Sequence, residues 1–185
     1  MITLSQNSSA CYAMRSIQTA MCLNTLQTIY YSSFNAIISY GLIFWGNSPH
    51  TIKVFRIQKR IISIMLGYKQ RVSCRKLFKK LQILPVASQY ILLLMLFVIK
   101  NKDHFTMNSD HYSISTRQLN NFHQPMTTFT IYQKGIHYMG IKIFNNLPQS
   151  IKDASNNARQ LEICLKRFLH THYFYPIEEY LQQEF

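Results

Sequence analysis

Lys53, Arg56 and Arg60 recur at intervals of three and four residues, with Lys59 beside Arg60. On a helix that spacing puts the first three on one face. Arg75, Lys76, Lys79 and Lys80 repeat the theme a little further on. Between residues 53 and 80 there are ten Lys or Arg and no Asp or Glu. Cations at this density suit one piece of chemistry: they neutralise the phosphates of a polyanion and release its counterions. Such contacts position a nucleic acid without reading its bases. A solubilising surface or an anionic membrane surface would also use positive charge. An ordinary soluble surface mixes signs, however, so a wholly one-signed run favours a phosphate-contacting face.

The charge of the whole chain is distributed in the same way. Residues 1–102 carry thirteen Lys or Arg and no acid, whereas residues 103–185 carry seven of each sign. The net charge of +13 therefore belongs entirely to the first part. Aromatic residues interleave with the basic region, and most fall at helical spacing on apolar faces. Trp45 and Tyr68 flank turns, which makes them the candidates for stacking on a base or sugar.

Other chemistries find little support. Asp103, Asp110 and Asp153 are isolated, Glu178 and Glu179 lie in the tail, and no paired aspartates stand ready for Mg²⁺. Five glycines are spread over the chain without forming a phosphate loop. His170 and His172 diverge on a helix, so no metal site is expected there. Cys74 lies beside Arg75 but has no evident histidine partner, which suits a core thiol. No cofactor is expected, and the chain by itself does not read as an enzyme. The four scattered cysteines fit the reduced thiols of an intracellular protein, nuclear or cytoplasmic.

The elements that must carry these residues read as helices joined by short turns. Asn24 to Gln27 has the form of a capping box, and Leu26, Ile29, Tyr30, Phe34, Ile37 and Ile38 follow at helical spacing. The Gly-Asn-Ser-Pro run at 46–49 ends that helix. Thr51 is placed to cap the next one, which should end at Gly67 with Ile52, Phe55, Ile62 and Met65 toward the core. Ser73 is placed to cap a short helix from Cys74, with Leu77, Phe78 and Leu81 inward. Pro85 precedes a longer, mostly buried helix over residues 86–100. Its greasiest part, residues 90–99, is half the length of a membrane span. Residues 103–128 lose periodicity and read as a linker. Beyond it, FTIY at 129–132 suggests a short strand, residues 135–148 a helix ended by Pro148, and residues 156–172 a helix with Leu161, Cys164, Leu165, Phe168 and Leu169 inward. The aromatic tail, YFYPIEEYLQQEF, should pack back. The expected fold is all-α or mainly α: a basic helical bundle over 1–102, a linker over 103–128, and a small neutral unit over 129–185.

Several short motifs follow one another in a fixed order: SYG-x-x-x-WG around Trp45, QKR at 58–60, CRKLFKKLQILPV, STRQ, and G-x-x-x-x-G-x-K-x-F-N-x-LP from Gly135. In that succession the chain resembles the C-terminal part of reverse transcriptases from jockey-like non-LTR retrotransposons, from about Ser8 to Tyr180. The resemblance implies that residues 8–102 correspond to the helical thumb that grips template and primer. Residues 129–185 would correspond to the tail. It also implies that the Mg²⁺-binding aspartates belong to a palm that this sequence lacks, so polymerase activity does not carry over. What could carry over is sequence-independent grip of an RNA/DNA duplex or hybrid through Lys53, Arg56, Lys59, Arg60, Arg75, Lys76, Lys79 and Lys80. The alternatives are a helical interaction module that associates with itself or another polypeptide through an apolar face, and a non-functional remnant.

Overall fold

The computed structural model describes residues 4–68, 73–111 and 121–183. Two of the basic residues, Lys69 and Arg71, and the STRQ motif at 115–118 lie outside them. The described chain is mainly α-helical. Among the described residues β-pairing is confined to an isolated bridge between Met107 and Phe122.

The first helix, α1 (Leu4–Gln18), packs along the side of the helix over residues 51–65. Helix α2 (Leu23–Ile29) runs without a break through a π-helical segment (Tyr30–Asn35) into α3 (Ala36–Ser39). The expected capping box does not form. Cys22 occupies the N-cap, and the Gln27 amide donates instead to the Leu81 carbonyl at 3.0 Å. The buried positions Leu26, Tyr30, Phe34 and Ile38 are spaced by four throughout. On a regular α-helix each such step overshoots a full turn, and the run would walk about 120° around the axis. The wider π turn takes up that drift and keeps all four against the core. Ile37, expected inside, is 51% exposed as a result.

A break at Gly41, in the left-handed conformation at φ 66°, starts α4 (Leu42–Trp45). The turn after it is pinned by Thr51. Its hydroxyl does not cap the following helix but donates back to the Gly46 and Trp45 carbonyls at 2.8 and 3.3 Å. Gly46 is required here by close approach. A Cβ at this position would lie 2.2 Å from Cδ2 of the fully buried Tyr90 and 2.7 Å from the Leu42 carbonyl oxygen. Neither can retreat, so Gly46→Ala should cost about 3 kcal/mol, the upper end for overpacking a core. A urea melt showing less than about 1 kcal/mol would contradict this packing.

Helix α5 (Thr51–Met65) then stops at Leu66 and the left-handed Gly67, where the Tyr68 amide reaches back to the Ser63 carbonyl at 3.0 Å. Its core side is made by Val54, Gln58, Ile61, Ile62 and Met65. Ile52, expected inward, is 59% exposed, and Phe55 is half-buried. Helix α6 (Cys74–Leu81) buries Leu77, Phe78 and Leu81 as expected, although Ser73 makes no side-chain capping bond. Helix α7 (Val86–Lys100) is buried nearly all round and forms the axis of the molecule. It packs against α4 and α5 on the N-terminal side and, farther along the chain, against the helices over residues 136–145, 158–172 and 177–181.

The region expected to be a linker takes part in this packing. A 3₁₀ turn (Lys102–His104) and α8 (Asn108–His111) lead away from α7. Phe105 and Phe122 are both buried, and Phe122 lies 4.4 Å from the Phe144 ring. The hydrophobic core runs continuously from Cys11 to Tyr180. The FTIY stretch is not a strand: α9 (Thr130–Gln133) satisfies its backbone locally through Gln133 N–H to Phe129 O and Lys134 N–H to Thr130 O. With no neighbouring strand among the described residues, a helical turn is the arrangement that leaves these polar groups paired.

Helix α10 (Ile136–Asn145) ends before Pro148, which opens α11 (Gln149–Asp153). Asn157 caps α12 (Ala158–His172) by accepting from the Arg159 and Gln160 amides. Leu161, Leu165 and Leu169 are its buried stripe, with Cys164 and Phe168 half-buried at the margin. The tail does pack back: Tyr173, Phe174 and Ile177 and Tyr180 of α13 (Ile177–Leu181) are all buried.

Candidate nucleic-acid interface

The amphipathic pattern of α5 fixes where its charges point. With Val54, Gln58, Ile61 and Met65 inward, the helical period turns Lys53, Arg56 and Arg60 to solvent, with Lys59 at the edge and half-exposed. Among the described residues none of these four forms an ion pair. Four cations thus stand together on one rigid helix without compensation.

Neighbouring helix α1 carries a further exposed cation, Arg15. Its Cys11 is buried, which pushes the thiol up, against the opposing pull of Arg60 and then of Arg15. Both guanidiniums therefore act on the same thiol, and Arg15 is exposed. In the sequence Arg15 stands alone, 38 residues before Lys53. The packing of α1 on α5 sets the helix that carries it beside the basic one.

Helix α6 is different. Arg75, Lys76, Lys79 and Lys80 are all exposed, as expected, but three of them already have partners. Arg75 donates to Glu179 at 2.5 Å and lies 4.9 Å from the Tyr175 ring centre. Lys79 sits 5.9 Å from the Tyr173 ring and Lys80 5.6 Å from that of Tyr68. The expectation of a basic row without any acidic partner fails at Arg75. The partner comes from 104 residues away, a separation that no local pattern reveals. It is delivered by the tail, whose Tyr175 ring packs against both Phe55 at 5.0 Å and Phe78 at 5.9 Å. The second Glu179 oxygen accepts from the Tyr175 amide at 3.0 Å, so the carboxylate is held before Arg75 by the backbone itself. An exposed pair like this contributes little to stability, yet it occupies the guanidinium.

The competition has a measurable consequence. Glu179→Gln should leave the fold intact and release Arg75. The salt dependence of nucleic-acid binding should then steepen by about 0.9 in logarithmic slope, the increment for one added phosphate contact. Anisotropy titrations at a series of salt concentrations would check this, and an unchanged slope would mean that the tail does not compete.

Trp45 and Tyr68, the stacking candidates of the sequence, both have contacts within the chain. Trp45 is half-buried, with its indole N–H donated to the Tyr40 carbonyl at 3.3 Å. Tyr68 is occupied by Lys80. No three His, Cys, Asp or Glu side chains converge on a metal-sized space among the described residues. No single helix among them is long and apolar enough to cross a membrane. Compared with family models, with curated proteins and with solved structures, the chain gives no match.

Proposed function

We propose that this chain binds the sugar–phosphate backbone of a nucleic-acid duplex or RNA–DNA hybrid without reading its sequence, as a thumb-like piece of a non-LTR retrotransposon reverse transcriptase. One observation carries the reading: Lys53, Arg56, Lys59 and Arg60 share the outward part of α5 with no ion-pair partner among the described residues. Uncompensated like charges on one face repel each other and weaken the fold slightly. A phosphate backbone removes that cost and gains counterion release. The motif order around Trp45 and Gly135 supports the same reading from the sequence side. The bound duplex would lie along α5, with Arg15 and Lys76 at its margins.

The test is fluorescence anisotropy of a labelled RNA–DNA hybrid titrated with the purified chain at low and at physiological salt. Four neutralised phosphates predict an affinity loss of about 10²-fold between 50 and 200 mM salt. Binding that ignores salt, or its absence at low salt, would overturn the proposal.

A further inference from the structure

The kinked helix before the basic face leaves a second, different surface bare. Phe34, Ile38 and Leu42 are buried, whereas Ile37, Tyr40 and Phe44 lie on the other side at 51%, 87% and 76% exposure. Two large aromatic rings in the open, four residues apart, are costly to keep hydrated. The left-handed Gly41 breaks the helix between them. The Trp45 indole N–H holds the Tyr40 carbonyl at 3.3 Å. Trp45 is thus a brace, and the rings presented to solvent are its neighbours.

The surroundings identify the occupant. No charged residue of either sign occurs between Arg15 and Lys53, and no acid precedes Asp103. The Thr51 hydroxyl ties the first turn of α5 to the carbonyl of Trp45, the residue after Phe44. A bare aromatic pair is therefore tied, through Trp45 and Thr51, to the N-terminal end of the helix that carries Lys53 and Arg56. Exposed π-faces joined to the start of a cationic helix match a strand whose phosphates follow the charge while its bases stack. A second copy of the chain would bring two faces of the same sign together, which disfavours it as the occupant.

We infer that Tyr40 and Phe44 form a stacking platform for unpaired nucleobases at the end of a duplex whose backbone lies on α5. The inference rests on the backbone-binding reading and adds a preference to it: a hybrid with a single-stranded tail is bound more tightly than its phosphates alone account for.

The experiment compares two labelled RNA–DNA hybrids that differ only in their tails, one carrying bases and the other abasic residues of equal number. Their phosphate counts are identical, so the affinity ratio isolates stacking. The ratio should be about tenfold in favour of bases, within the range for aromatic–base stacking. Y40A/F44A should bring it to about one, and Y40F should preserve it. Equal affinity of the native chain for both tails, with steep salt dependence retained, would overturn the platform and leave the backbone reading standing. Salt-insensitive or absent binding of both would overturn the two together. Y40A/F44A that keeps the ratio but abolishes self-association or binding to anionic vesicles would assign the surface to those partners instead.

Discussion

Replacing Lys53, Arg56, Lys59 and Arg60 together with glutamate should lower affinity for every nucleic-acid sequence tested and flatten the salt dependence by about 3.6 in logarithmic slope, four phosphates at 0.9 each. At low salt the loss should be at least 10²-fold, since removing four contacts forfeits their counterion release, and reversal adds repulsion. The protein should remain folded, because Lys53, Arg56 and Arg60 are exposed and Lys59 lies at the edge of the helix. Reversing Arg75, Lys79 and Lys80 should do less: Arg75 is already neutralised by Glu179, and Lys79 and Lys80 lie over aromatic rings. Salt titrations of both variants beside the parent chain would check this ranking. An α6 variant weaker than the α5 variant would mean that the tail lifts away on binding.

That ranking follows from how the molecule distributes its few acids. Of the seven carboxylates in the sequence, Glu179 reaches the basic helices and stops at α6. Glu162 serves a local i,i+4 pair with Lys166. Among the described residues the α5 face is left without an ion pair, and α6 is half-committed to holding the tail. The C-terminal segment is thus both a packing element, through Tyr175 against Phe55 and Phe78, and a partial cover on the positive surface.

Much of the helical scaffold was legible in the sequence because its signals are local. Pro85 before α7, Gly67 after α5 and the apolar stripe Leu77, Phe78 and Leu81 of α6 act within a turn or two of where they sit. What was not legible depends on distant partners. Ile52 and Ile37 belong to apolar patterns but face solvent, since burial is decided by what packs across from them. The FTIY stretch has strand-forming residues and no strand to pair with among the described ones. Within the site, the exposure of seven of the eight cations followed from periodicity, with Lys59 half-exposed at the edge of α5, but the Glu179 contact, the packing of α1 on α5 and the bareness of Tyr40 and Phe44 arise only when separate elements meet.

The hardest residue to place from sequence is Gln58, a polar side chain that is fully buried in the middle of the α5 core face. Its amide nitrogen donates to the Tyr30 hydroxyl and the Leu84 carbonyl, both at 2.9 Å, and its amide oxygen accepts from the Val86 backbone N–H at 3.0 Å. One side chain thereby joins the π-helical segment, the α6–α7 turn and the start of α7, and so sets the angle at which the basic helix is held. Gln58→Leu conserves the volume but orphans one buried group, the Val86 N–H. The Tyr30 hydroxyl keeps an interaction with Gln89, and the Leu84 carbonyl keeps a second donor, Gln89 Nε2 at 3.0 Å. At 1–3 kcal/mol for the orphaned group and about 1 kcal/mol for the other lost bonds, the expected destabilisation is about 3 kcal/mol, or a fall in Tm of roughly 6–12 °C for a chain of this size. Gln58→Glu should be worse near neutral pH, because an ionised carboxylate there would be buried with no cation beside it and would lose both donated bonds. Denaturant melts of the two variants would decide the matter. A loss below about 1 kcal/mol for Gln58→Leu would show that the three elements are joined by their apolar contacts alone, and that the amide is a passenger in the core.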